Sequence, residues 1–210
     1  MTADPKNSRR SALLQALQVF QAQRIRATYA DLYEQPQYTK LVEFFFEEIY
    51  GPQDFGVRNE GIKVLHQKLR GLLKGEIIES MGKVVELNDL TETLDELMVD
   101  KMFKQGVGVD FDMETYGVLY QSCDNYKQRV FQINLMLEAT KHIYAVSRMW
   151  MIGLTLKAVN TAAHLAGYGK IIDFLSHGYE AFRNVKNIDY FLQTVETREK
   201  ALNNRLFGRA

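Results

Sequence analysis

All three prolines of this chain, Pro5, Pro36 and Pro52, stand in its first quarter, and none follows Pro52. A proline inside a helix removes a backbone hydrogen bond and costs about 3 kcal/mol. A proline-free tract with few strand-like alternations is what a helical bundle permits. The expected fold class is all-α.

Periodicity agrees. Ser8 or Ser11 is placed to cap a first helix, in which Leu14, Leu17, Ile25, Tyr29 and Leu32 recur near helical spacing until Gln35-Pro36. A second helix spans Tyr38 to Tyr50, with Leu41, Val42, Phe45, Phe46 and Ile49 on one face and Phe44 beside it; Gly51-Pro52 stops it. A third, with Ile62, Leu65, Leu69, Leu72 and Leu73, closes at Gly75. Glu76 to Gln105 is helical, with Gly82 or Asn88-Asp89 as places for a kink or division. Gly106 to Asp112 is the clearest loop, and Asp112 is placed to cap the next helix. From there to Gly167 the pattern is helical, interrupted near Ser122-Cys123-Asp124-Asn125. Two shorter helices, about Lys170 to Phe182 and Ile188 to Phe207, finish the chain. The sum is a single-domain bundle of about seven or eight helices over 1–210, with 1–7 as a flexible tail.

Composition limits the partners. With 46% hydrophobic and 25% charged residues, 210 residues suit one globular core rather than a disordered chain. Lys+Arg and Asp+Glu balance at 26 each, so no net field draws the protein to nucleic acid or to an anionic membrane. Cys123 is the sole cysteine, which excludes an intrachain disulfide and a thiolate cluster. The N-terminus has no apolar signal region. The most apolar stretch, Tyr144 to Tyr168, is interrupted by Arg148, Lys157 and His164, so it reads as a buried core helix and not a bilayer span. The expected location is the cytoplasm.

Reaction chemistry finds no foothold. His66, His142, His164 and His177 are far apart, and none pairs with another His or Cys at metal-ligand spacing. Glu138, four residues before His142, makes one isolated pair. Asp110-Phe111-Asp112-Met113-Glu114 opens like a calcium loop, but Thr115 and Gln121 replace the required glycine and glutamate. No serine sits in a nucleophile elbow, and Asp124 beside Cys123 raises rather than lowers a thiol pKa. Gly106 and Gly108 lack the third glycine and lysine of a phosphate loop. Catalytic residues, cofactors and metals are thus expected to be none.

Two regions still attract attention. Tyr50, Asp54 and Arg58 flank the Gly51-Pro52 break, as a functional group or as a local cap and ion pair. Phe44, Phe45, Phe46, Tyr50 and Phe55 crowd one region, and Met149, Trp150 and Met151 another. They read as an aromatic core or as a pocket near Phe45 and Trp150 for a small apolar ligand.

FFFEEIYGPQDFGVRN (44–59) resembles a motif FFxxxYGPxDFxxR[DN]. DFLSHGYEAFRNVKNIDYFLQTVETREKALNNRLF (173–207) resembles FLxxGxxAF followed by FLxTxxxRE and a terminal LF. Together they resemble an uncharacterised all-helical bacterial family, which implies full-length membership and no assigned activity. Leu94, Leu97, Gly106, Val107 and Tyr116 are more loosely similar to the globin pattern. That likeness implies a haem-free relative, because Lys101 stands where globins place the haem-binding histidine. The first expectation is a non-enzymatic helical protein acting through a protein partner or as a homodimer. The second is a haem-free globin-like module for an apolar small molecule, and the third an enzyme with an unrecognised site.

Overall fold

The computed structural model describes residues 5–49, 63 and 76–209. Within them lie nine α-helices and no strand: α1 Pro5–Thr28, α2 Ala30–Tyr33, α3 Thr39–Phe44, α4 Glu76–Gln105, α5 Met113–Ser122, α6 Tyr126–Ser147, α7 Trp150–Leu165, α8 Gly169–Arg183 and α9 Ile188–Leu206. The architecture is an all-α single domain. Helix α1 begins at Pro5, so Ser8 and Ser11 lie inside it and do not cap its start. The 30 residues of α4 run unbroken through Gly82 and Asn88-Asp89. Asn88 bonds to Glu92 one turn on at 2.9 Å, which spends its side chain along the helix instead of against it.

The expected breaks at Gly106 and Gly167 are present. Both glycines turn the chain through positive φ (69° and 83°), which other residues adopt at a cost. Asp112 caps α5 by accepting from the Thr115 N–H at 2.8 Å, and backbone N–H groups at this helix start hold its carboxyl below the usual range. The calcium-loop resemblance is therefore a capped helix start. Asp124 takes the left-handed conformation (φ 49°) between α5 and α6.

One expectation fails outright. The apolar stretch 144–168 is not one buried helix: α6 ends at Ser147, Met149 turns extended (ψ 104°), and α7 buries none of its residues. The Ser147 hydroxyl donates to the Tyr144 carbonyl at 2.7 Å, a back-bond that competes with helix propagation at this end.

The core has two apolar clusters with a polar layer between them. The first gathers Ile25 of α1, Tyr29 between α1 and α2, Leu41 and Phe44 of α3, Phe182 of α8, and Phe191 and Val195 of α9. The second gathers Leu13 and Leu17 of α1, Met98 and Met102 of α4, and Tyr116, Leu119 and Tyr120 of α5. Helix α1 crosses both. The residues it carries between them include Gln21 and Arg24. No α7 residue belongs to either cluster.

After Phe44 the helix widens into a π turn, Phe45–Ile49. Such a turn shifts the register of the residues beyond it. Phe44 then meets Phe174 and Phe182, Phe45 meets Phe182 and Phe191, and Phe46 meets Tyr33. Phe44, expected beside the buried face, is itself buried, packed on Phe174 and Phe182.

Candidate functional site

Helix α7 is the part of the molecule whose burial does not match its sequence. Its residues step around the axis by about 100° each. Trp150, Leu154, Ala158, Thr161 and Leu165 therefore fall along one stripe, with Met151, Thr155 and Ala162 beside it. All eight are exposed and none is charged. Trp150 is 69% exposed, Met151 59%, Leu154 56% and Leu165 85%. Met149, Val159 and Tyr168 extend the patch, so that seven of the fifteen large apolar side chains exposed among the described residues lie within 149–168. That clustering separates the patch from ordinary scattered surface leucines. Burying a leucine is worth roughly 1.5–3 kcal/mol, so Leu154 and Leu165 together forgo more than any surface ion pair supplies.

The opposite side of α7, with Ile152, Gly153, Leu156, Asn160 and Ala163, is half-buried and packs on α8. Glycine sets that approach. A Cβ on Gly153 would lie 2.7 Å from the Tyr179 ring, and one on Gly169 would collide with the ring of His164. His164 Nε2 also meets Asp173 Oδ1 at 3.0 Å, which ties the end of α7 to α8. The helix is thus seated firmly by one side while its other apolar side faces outward.

The polar layer is the second unusual region. Asp95 of α4 is almost wholly buried and accepts from Gln21 Nε2 at 3.1 Å. Burial pushes its carboxyl up, against the pull of hydrogen bonds from Gln21 and Gln18 and the charge of Arg129. Arg129 of α6 is equally buried; its guanidinium lies 4.5 Å from the centre of the Tyr120 ring and donates to the Leu94 carbonyl at 3.4 Å. The Tyr120 hydroxyl donates to Asn203 Oδ1 at 2.9 Å. On α1 and α9, Arg24 pairs with Glu199 at 2.6 Å, and the Tyr29 hydroxyl reaches the same carboxylate at 2.8 Å. Burial raises the pKa of Tyr116 and of Tyr120, so both stay neutral donors. Arg129 Nε, Asn203 Nδ2 and both polar atoms of Asn125 have no hydrogen-bond partner among the described residues. The layer joins α1, α4, α5, α6 and α9, and its chemistry is that of an internal lock.

The residues singled out from sequence fall in different places. Tyr50, Asp54 and Arg58 lie outside the described residues, as do the third helix's apolar positions and His66. Phe45 packs within the aromatic cluster of the first core, and Trp150 opens α7 at the surface. His142 stands 4.0 Å from Glu138, and His177 Nδ1 meets Glu48 at 3.1 Å. No group of three or more His, Cys, Asp or Glu side chains suited to a metal occurs among the described residues. Cys123 is raised, as expected, but by burial first and not by Asp124. Two open clefts, about 290 and 300 Å³, are lined by Tyr190, Thr194 and Arg198 and by Arg26, Tyr33 and Phe46.

Residues 2–210 match the family described as a domain of unknown function, DUF8198. The chain belongs to the DUF8198 family. No curated protein and no solved structure matches this DUF8198 chain. The match covers nearly the whole chain, so in this DUF8198 protein the α7 face and the polar layer both lie within the family's domain.

Proposed function

We propose that this protein works without catalysis, through contact between the outward face of α7 and another polypeptide. The observation that carries the reading is the uncharged stripe from Trp150 to Leu165, exposed along a helix that is apolar on both sides. A helix apolar all round belongs in an interior, and here one of its two faces has found a neighbour. The balance of 26 basic and 26 acidic residues favours neither nucleic acid nor an anionic membrane as that neighbour. No helix among the described residues is long and apolar enough to cross a membrane. The cytoplasm is the compartment we propose, in keeping with a single cysteine.

The direct test replaces Trp150 by a photo-cross-linking amino acid in the native cell. Adducts with a polypeptide are expected at that position and not at an exposed position of α4 such as Glu96. Equal or absent labelling at the two positions overturns the reading.

A further inference from the structure

We propose that the N-terminus of α6 binds a phosphate group, free or carried as a monoester on a small soluble molecule. The site is separate from the α7 face and does not rest on the interaction reading above.

An α-helix begins with N–H groups that have no intrahelical acceptor, and its dipole places roughly half a positive charge there. A capping oxygen and an early carboxylate are the usual answer. Asp112 and Glu114 give it for α5, and Asn187 and Asp189 for α9. Helix α6 has neither: no side chain caps its start, and its first turn holds no acidic residue. Cations stand there instead, with Lys127 second in the helix and Arg129 fourth. Positive charge at the positive end of a 22-residue helix is an unfavourable placement that an anion relieves.

Two buried side chains point to what the start of α6 lacks. Asn125, at the cap position, is 6% exposed, and neither its Oδ1 nor its Nδ2 has a hydrogen-bond partner among the described residues. Arg129, one turn on along the same helix face, is 4% exposed, and its Nε is equally unpartnered there. A buried donor without an acceptor is costly, so these groups mark a place for hydrogen-bonding oxygens. The rim is cationic. Helix α9 is followed by Gly208, whose positive φ of 64° turns the chain, and the Arg209 guanidinium lies 4.1 Å from the centre of the Tyr126 ring. Tyr126 is the first residue of α6, and it holds the end of α9 by donating to Asn204 Oδ1 at 2.9 Å and by meeting Phe207 edge-on. Arg209 and Lys127 are exposed, and neither forms an ion pair among the described residues. Asp124, also exposed, opposes them with one carboxylate just ahead of the helix. A phosphate answers these donors together, because its several oxygens accept from backbone N–H, amide and guanidinium groups at once.

Nuclear magnetic resonance of the full chain, titrated with inorganic phosphate against sodium chloride at matched ionic strength, tests the site. The amide resonances of Tyr126, Lys127 and Gln128 should shift saturably with phosphate, with a Kd in roughly the millimolar range or tighter. Those at the starts of α5 and α9 should not. Arg209→Gln and Lys127→Gln, both surface changes, should each weaken binding by about 3- to 10-fold while the circular-dichroism spectrum stays unchanged. Asp124→Asn should tighten it, since it removes the one opposing charge. A parallel titration with glycerol phosphate assigns the source. Tighter binding than inorganic phosphate points to an ester, and equal or weaker binding to the free ion. Shifts no larger than those from chloride overturn the site. So do phosphate shifts that keep the same midpoint when Arg209→Gln and Lys127→Gln are combined.

Discussion

Charge inside and oil outside distinguish the polar layer from α7. Asp95 and Arg129 are buried between two apolar clusters, while Trp150, Leu154 and Leu165 face outward on a helix with no fully buried residue. The layer is explained by what the chain itself supplies: Gln21 on Asp95, Tyr120 beneath Arg129, Glu199 against Arg24. Among the described residues the α7 face has no such internal account. The difference separates two ways in which a residue can defy its hydropathy. A buried charge is answered within the fold, because leaving it unanswered would cost several kcal/mol. An exposed apolar face is tolerated by the fold and points to something beyond it.

The largest effect should come from breaking the lock. Arg129→Met leaves the Asp95 carboxylate buried without its neighbouring cation and should cost about 3–5 kcal/mol in denaturant unfolding. A loss near zero would mean that the layer is open to water. Next is the seat of α7. Gly153→Ala drives a methyl into the Tyr179 ring and should cost about 1–3 kcal/mol, lessened by alanine's better helix propensity. Adding Tyr179→Ala to that variant should restore part of the loss; no restoration would remove Tyr179 as the reason for the glycine.

Smaller still is the surface pair that closes α9 on α2. Arg198 grips Asp31 with two bonds of 2.7 Å, and its hydrogen bond holds the Asp31 carboxyl below 3.8. A depressed carboxylate stabilises the fold above its unfolded value, and that contribution is lost as pH falls through the folded one. Arg198→Gln should therefore cost at most about 1 kcal/mol at neutral pH, with the difference vanishing in acid. Asp95 has the opposite sign. Its raised pKa means that ionisation opposes folding, so Asp95→Asn should gain on the wild type as pH rises from 3.8 and level off above the folded value. A pH titration of both variants reads inside and outside in one experiment. The smallest effect on the fold is expected from Leu154→Glu, within about 0.5 kcal/mol for a monomer, because the side chain is already in water.

How far the sequence reaches is seen by setting α9 beside α7. Helix α9 is legible nearly to the residue, Ile188 to Leu206 against an expected Ile188 to Phe207, because its apolar face is narrow and Asn187 caps it by accepting from the Tyr190 N–H. Helix α7 misleads because apolar content says that a surface wants covering without saying by what. The division at Arg148-Met149 carries neither proline nor glycine, the residues that mark the breaks at Gly106 and Gly167. The polar layer also escapes a reading by hydropathy, since charges on helices usually face solvent. A signal does exist: Asp95 shares a face with Met98 and Met102, and Arg129 with Ile133 and Met136. A charge within an apolar stripe marks a buried partner.

The central claim is that the outward face of α7 contacts another polypeptide, and the chain carries its own reporter. Trp150 is the sole tryptophan, placed at the first turn of that face. Acrylamide quenching of its emission should fall, and the spectrum shift to the blue, when the polypeptide captured by the cross-linker at position 150 is added, and both changes should disappear in Leu154→Glu. Quenching of the wild-type chain that stays high with that polypeptide present would contradict the account.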